Sequence, residues 1–361
     1  MSDFKPGLEG VVAVETEIAE PDRDGGALRY RGVDIEELVG QVPFEQVWGL
    51  LVDEAPEPGL PAAEPFQARY LTGDVPADLQ TETAWLAGEW KLGKLIDISD
   101  EEAREDLRRV SATMISIGAQ SARVADGNTT PVPRETVESG ASTAERFLLE
   151  WRGETDPRHV KALDTYWICT AEHGLNASTF VARICASTGA DCGACLSSAV
   201  GALSGPLHGG APARVLPMLD AAAEASSIEG YVNGVLDRRE RLMGFGHRVY
   251  RAEDPRARLL KRTAKELGSP RYEVADELER VALAALRERS PDRVLATNVE
   301  FWSALVLDVA DIPPPMAPAM FALSRTAGWS AHILEQKRLA RLIRPSARYV
   351  GPAARSLSTV A

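Results

Sequence analysis

A chain of 361 residues, 45% apolar and 26% charged, can bury a sizeable core and is long for a single compact domain. Its net charge of -13 argues against a general nucleic-acid binder, and no window approaches the ~18 apolar residues of a membrane span. The N-terminus, MSDFKPGLEG, carries neither a basic n-region nor an apolar h-region, so a cytoplasmic protein without a secretory signal is expected. Charge is unevenly spread: residues 1–150 hold 30 Asp/Glu against 13 Lys/Arg, whereas residues 238–262 hold 9 Lys/Arg against 3 Asp/Glu. That basic segment suits either a small polyanion or a solvated helical face.

In chain order, VVAVETEI and GALRYRG read as short extended stretches around the turn-rich PDRDGG, and VDIEELVG enters a helix. A small sheet should open the fold. Beyond residue 80 the pattern turns helical, with three- and four-residue apolar spacing in RFLLEWRG, HVKALDTYWICTAEHG, ASTFVARICASTGA, SIEGYVNGVLDRRERLMG, RARLLKRTAKELG, YEVADELERVALAALRER and TAGWSAHILEQKRLARLI. A mostly α protein follows. Gly189 and Gly268 stand where helix C-caps are expected, and the Pro-rich DIPPPMAP marks a possible lobe boundary near residues 311–318. Cys169, Cys185, Cys192 and Cys195 include one CxxC, but DCGACLSSAVGAL has no second metal-spaced pair. It reads as a helix packed through small residues, with no metal.

Three segments concentrate chemistry. In SGPLHGGAPARVLPML, His208 lies between a tight turn and a helix expected to start near Ala211 with Pro212 in its first turn. A helix N-terminus disfavours protonation, so a neutral His208 could donate a hydrogen bond to a carbonyl, or it could merely cap the helix. In LMGFGHRVYRAEDPRARLLKR, GFGH lacks the third glycine of a dinucleotide fingerprint and follows a helix. Its cargo is His247 with Arg248, Arg251, Arg256 and Arg258, donors suited to carboxylate and phosphate oxygens, unless DPRAR only starts a solvated helix. In VLATNVEFWSALVL, Asn298 is the expected N-cap of a helix beginning at Val299. Glu300 would then sit in the first turn, where the dipole favours a carboxylate ready to act as a base, or one that only complements the dipole.

Together these stretches resemble the citrate synthase family. GLEGVVAVETEI, GALRYRGVDIEEL, EHGLNASTF, GPLHGGAPARV, GFGHRVYRAEDPRA, NVEFWSALVL, SRTAGWSAHILEQ and RLIRPSARYVG occur in family order across nearly the whole chain. The resemblance implies a two-domain helical fold with a small N-terminal β element. A large domain would combine residues 1–209 with 313–361, and a small domain of 210–312 would form the cleft. It implies condensation of acetyl-CoA with oxaloacetate and water to citrate and CoA, the chemistry of the tricarboxylic acid cycle. By the same resemblance Glu300 is the base, and His208 and His247 polarise the thioester and ketone carbonyls. His173, Arg256, Arg325 and Arg344 hold oxaloacetate's carboxylates, with Arg344 donated across a homodimer, and Arg251 meets the CoA phosphates. Acetyl-CoA is a substrate and no resident cofactor is implied; neither nucleic acid nor membrane is an expected partner. With residues 1–30 too short for the extra N-terminal domain of hexameric, NADH-inhibited members, a homodimer without that control is expected.

The family base is Asp in an NVD motif, whereas this chain has Glu in that register. One methylene shifts a carboxylate by roughly 1 Å, an error worth on the order of 10²-fold in rate when nothing compensates. Two alternatives remain: 2-methylcitrate synthesis from propionyl-CoA, since a methylene in an apolar pocket is worth only ~1–3 kcal/mol, and a non-catalytic paralogue that binds CoA or oxaloacetate.

Overall fold

The computed structural model describes residues 4–22, 24, 26–209, 214–246, 253–290 and 295–356. The expected small sheet is present as three short antiparallel strands, β1 (Ala19–Pro21), β2 (Leu28–Tyr30) and β3 (Val33–Asp34), with β2 in the middle. The stretch VVAVETEI is irregular, and the first strand begins just after it. Apart from one isolated bridge, everything else regular among the described residues is helical, as the apolar spacing requires. α1 (Ile35–Leu38) and α2 (Phe44–Val52) follow the sheet, then α3 (Val75–Glu89), α4 (Asp100–Ala125), α5 (Arg134–Glu138) and α6 (Thr143–Arg152). Next come α7 (Pro157–Thr170), α8 (Ala177–Ser187) and α9 (Cys192–Leu203). Then follow α10 (Val215–Glu224), α11 (Ile228–Asp237), α12 (Pro255–Glu266), α13 (Tyr272–Arg289) and α14 (Val299–Val309), and α15 (Ala317–Leu339) closes the helical order.

Helix boundaries follow local chemistry. Ser99 and Glu102 form a reciprocal capping box that starts α4, satisfying two otherwise orphaned N–H groups. Gly189 and Gly268 follow α8 and α12 with φ of 79° and 66°, the left-handed conformation that ends a helix. CxxC lies in α9 with both thiols buried, as small-residue packing requires. α7 stops at Thr170, four residues short of the apolar pattern's end. There the Tyr30 hydroxyl, buried on β2, lies 3.0 Å from Ile168 O and 3.2 Å from Glu172 O and accepts Glu172 N–H at 3.3 Å. The sheet thus anchors the turn 171–176, which carries His173.

α15 is the centre of the large helical layer. It is buried on all sides for most of its length and packs against α2, α4, α7, α8 and α9, which explains its lack of a single apolar stripe. Polar groups inside it are paired: Arg183 of α8 meets Gln336 (3.1 Å) and His332 (2.9 Å), and His332 reaches the Glu172 carboxylate (3.2 Å). Helices α12 and α14 pack on each other and both pack on α7, so the basic segment is docked onto the same scaffold. No helix among the described residues is long and apolar enough to cross a membrane.

Close approach of α15 to the turn at residue 171 depends on Gly328. Its N–H donates to Ala171 O at 3.2 Å; an added Cβ would stand 2.7 Å from that oxygen and collide with the Glu172 carboxylate. Gly328→Ala is therefore expected to destabilise the fold by about 1–3 kcal/mol, the range for overpacked cores, and to lower the Tm seen by circular dichroism. An unchanged Tm would show that the contact is not tight.

Candidate active site

Two loop segments pair to set the start of α14. Phe245 and Thr297 form an antiparallel bridge, flanked by hydrogen bonds from Gly246 N to Ala296 O (2.8 Å) and from Asn298 N to Gly244 O (2.9 Å). Asn298 then caps the helix as its sequence position predicts: Oδ1 accepts the Glu300 N–H at 3.0 Å and Nδ2 donates to Gly246 O at 3.0 Å. Gly244 has φ 83°, and a Cβ there would fall 2.6 Å from Phe301 Cβ, so the GFG turn needs its first glycine on both counts. The pairing carries the chain to Gly246 beside Glu300. His247 and Arg251 lie outside the described residues.

Asp254 joins this helix start to a second one. It caps α12 by accepting Arg256 N–H (3.0 Å), accepts from the Arg256 guanidinium through both carboxylate oxygens (2.9 and 2.8 Å), and accepts Val299 N–H of α14 at 3.1 Å. Asp254 and Arg256 are 1% and 2% exposed, so the guanidinium is fixed in a dry site close to Glu300. Burial raises the Glu300 pKa above the usual carboxylate range; the Arg256 charge and the Asn298 hydrogen bond pull it partly back, and Asp254 adds to the rise. The helix dipole alone suggested a readily ionised carboxylate, and desolvation outweighs it.

His208 follows α9 in a turn whose N–H donates to Gly205 O at 2.9 Å. Its Nε2 lies 2.9 Å from Ser178 Oγ in the first turn of α8, and its ring meets Phe321 of α15 edge-on at 6.0 Å. Burial, followed by the nearby Arg325 charge, lowers its pKa to about 4. Burial is thus a second reason, beside the expected helix start, for a neutral imidazole; that start, expected at residues 211–213, lies outside the described residues, and α10 is described from Val215. Ser178 has one proton and three polar neighbours. The Trp329 indole N–H, 3.2 Å away, can only donate to it, while Asn176 Oδ1 at 2.9 Å also accepts the Thr179 N–H. A hydroxyl proton turned to His208 Nε2 puts the imidazole proton on Nδ1; a proton turned to Asn176 puts it on Nε2.

Arg325 is buried at 1% exposure, with Nε donating to Thr170 O at 2.8 Å and its guanidinium 4.7 Å from the Phe321 ring centroid. It stands within electrostatic reach of His208, Glu172 and Arg256. His173 is half-buried in the turn before α8, and its backbone N–H bonds the Glu172 carboxylate. Burial opposes ionisation of Glu172, but His332, Arg325 and that N–H outweigh it and hold its pKa below the usual range. Glu300, Arg256, Arg325 and His208 therefore form one electrostatically connected group, while Arg344 is exposed in the irregular chain after α15. A cavity of about 400 Å³ between α4, α5 and α6 contains none of these residues. Sequence reasoning passed over Asp254, Ser178 and Glu172. Only Asp254 left a signal, as an N-cap before Pro255.

The family model described as "Citrate synthase, C-terminal domain" matches residues 7–346. The chain is 59% identical to "Putative citrate synthase 2" of Mycobacterium tuberculosis, covering 99% of this chain and 96% of that protein. It is 36% identical to the citrate synthase of Haloferax volcanii (97% and 96% covered) and 33% identical to the 2-methylcitrate synthase of Shewanella oneidensis (both fully covered). Its fold matches the Thermoplasma acidophilum citrate synthase, solved as a ternary complex with carboxymethyl coenzyme A and oxaloacetate. The TM-score is 0.85 at 28% identity, over 99% of this chain and 98% of that one. The helical fold and these matches define a transferase-type enzyme. The chain belongs to the citrate synthase family.

The neutral state of His208 is open to direct measurement. In ¹⁵N-labelled protein its imidazole should remain neutral from pH 8 down to about 5 and take up its proton only near pH 4. A midpoint near the ordinary ~6.5 would contradict the burial argument. Because the unfolded chain binds that proton near ~6.5, this group makes the fold less stable as pH falls from there toward about 4.

Proposed function

We propose that this chain condenses acetyl-CoA with oxaloacetate and releases citrate and CoA. The observation that carries the reading is the junction of the α12 and α14 starts, which sets the Glu300 carboxylate beside the fixed Arg256 guanidinium within one buried, charged group. Glu300 removes a proton from the thioester methyl while His208, neutral and protonated on Nδ1, donates to the thioester oxygen as its charge builds. A base and a donor acting together stabilise an enol that neither would sustain alone. For this role the Ser178 hydroxyl must donate to Nε2, with the Trp329 N–H filling one of its acceptor sites.

The enol carbon then attacks the ketone carbon of oxaloacetate, whose oxygen takes up the displaced electron pair and is protonated with the help of His247. Water hydrolyses the resulting citryl thioester, giving citrate and the free CoA thiol. Arg256, Arg325 and His173, with Arg344 from the second subunit of a homodimer, hold the carboxylates of oxaloacetate, and Arg251 meets the CoA phosphates. The neighbour solved with oxaloacetate and a CoA analogue supports this choice of ligands. In this reading residues 210–312 form the small domain that closes on a large domain of 1–209 and 313–361, and the enzyme works in the cytoplasm. Burial supplies part of the compensation for the longer Glu300 side chain. A carboxylate whose pKa is raised toward working pH is a stronger base, which offsets some loss of placement.

The first assay follows free thiol on mixing the chain with acetyl-CoA and oxaloacetate. Thiol release is expected, with kcat/KM for acetyl-CoA exceeding that for propionyl-CoA. Glu300→Gln should lower kcat by about 10³-fold or more, with oxaloacetate affinity changed only a few-fold. Ligand binding without thiol release would identify a non-catalytic paralogue, a propionyl-CoA preference would identify a 2-methylcitrate synthase, and near-normal turnover of Glu300→Gln would remove Glu300 as the base.

A further inference from the structure

The cavity of about 400 Å³ between α4, α5 and α6 lies in the size range of small-molecule sites. Its innermost walls are the buried side chains of Ala112 and Ile115 on α4 and Phe147 on α6. Two surface segments form the outer walls: residues 61–67, which bring half-buried Phe66, and α5, which brings half-buried Val137. Arg134 of α5 ties the two segments together, its Nη2 donating to Ala63 O at 2.8 Å.

Opposite charges stand one turn apart on the cavity face of α6. Arg146 and Glu150 both line the space, four residues apart, a spacing at which such a pair can meet on a helix. They do not meet. Arg146 donates instead to Gly140 O (3.1 Å) and Thr143 Oγ1 (3.2 Å), while Glu150 Oε1 accepts from Ser116 Oγ (2.6 Å) and Gln120 Nε2 (3.1 Å) of α4. Glu150 Oε2 takes no hydrogen bond from any described residue and is not sealed from solvent. Arg123, on the α4 wall, likewise donates to carbonyls, Thr130 O at 2.6 Å and Trp151 O at 2.8 Å, so neither guanidinium has a carboxylate partner among the described residues. Burial raises the Glu150 pKa, and the Ser116 and Gln120 bonds with the Arg134 charge recover only part of the rise. An arriving cation would relieve that cost.

We propose that this cavity binds a free apolar α-amino acid, with its ammonium on Glu150, its carboxylate on Arg146 and its side chain against Phe66, Ile115 and Phe147. A simple amine would leave Arg146 without a counter-charge, and a simple carboxylate would lie close to the Glu150 carboxylate with nothing to offset the repulsion. A zwitterion meets both charges from neighbouring atoms, as the one-turn spacing on α6 asks. The apolar walls select a branched or aromatic side chain, because only such a group gains from leaving water there. This site stands apart from the condensation chemistry and does not rest on it.

The test is calorimetric titration of the whole chain with L-phenylalanine and L-leucine. At least one should bind saturably at millimolar concentration or below. The analogues that lack one charge (2-phenylethylamine and 3-phenylpropanoate for phenylalanine, 3-methylbutylamine and 4-methylpentanoate for leucine) should bind at least about tenfold more weakly, the worth of one charge-assisted hydrogen bond. Glycine, which keeps both charges without an apolar body, should also be at least about tenfold weaker. Glu150→Gln, which keeps an acceptor for Ser116 and Gln120, should weaken the amino acid by about tenfold or more and leave the carboxylate analogue no weaker than in wild type. Arg146→Gln should weaken the amino acid similarly and leave the amine analogue no weaker. No saturable binding of either amino acid, an amine or carboxylate analogue that binds as tightly as its parent, or a folded Glu150→Gln chain with wild-type affinity would each overturn the proposal.

Discussion

The carboxylate of Asp254 is the constraint on which the candidate site depends. One buried side chain caps α12, neutralises Arg256 and accepts the first free N–H of α14, so two helices separated by more than thirty residues must begin at the same place. A buried guanidinium is tolerable only when its charge is met, and Asp254 meets it through a bidentate contact that takes up two of its donors. Once α14 starts there, Asn298 and the Gly244–Gly246 segment fix its first turn, and with it the backbone of Glu300.

The second support is α15. It carries Phe321, Arg325 and Trp329 along one stretch, so a single buried helix presents a ring to His208, a charge to the site and an indole N–H to Ser178. Its interior position makes these placements rigid, because side chains in a packed helix cannot change rotamer without displacing neighbours. Tyr30 extends the same logic to the N-terminal sheet, whose role is to pin the turn that holds His173.

What could be read from the sequence was whatever local chemistry determines. The helices showed in their apolar period, and the cap at Asn298 with Glu300 in the first turn showed in residue type and order. The burial and the Arg325 charge that lower the His208 pKa were not legible, since they come from distant segments. The rise in the Glu300 pKa was missed for the same reason: a helix dipole is local, whereas desolvation is a property of the assembled fold. Ser178 and Glu172 left no trace, because their partners lie 30 to 160 residues away and no spacing rule connects them.

If the Asp254 junction organises the site, disturbing it should cost function out of proportion to fold. The direct measurement is kcat/KM for oxaloacetate in Asp254→Asn protein whose far-UV circular dichroism matches wild type. The junction account predicts a fall of about 10²-fold or more, since Arg256 loses its counter-charge and the α14 start loses its acceptor. A folded Asp254→Asn enzyme with kcat/KM within a few-fold of wild type would contradict it.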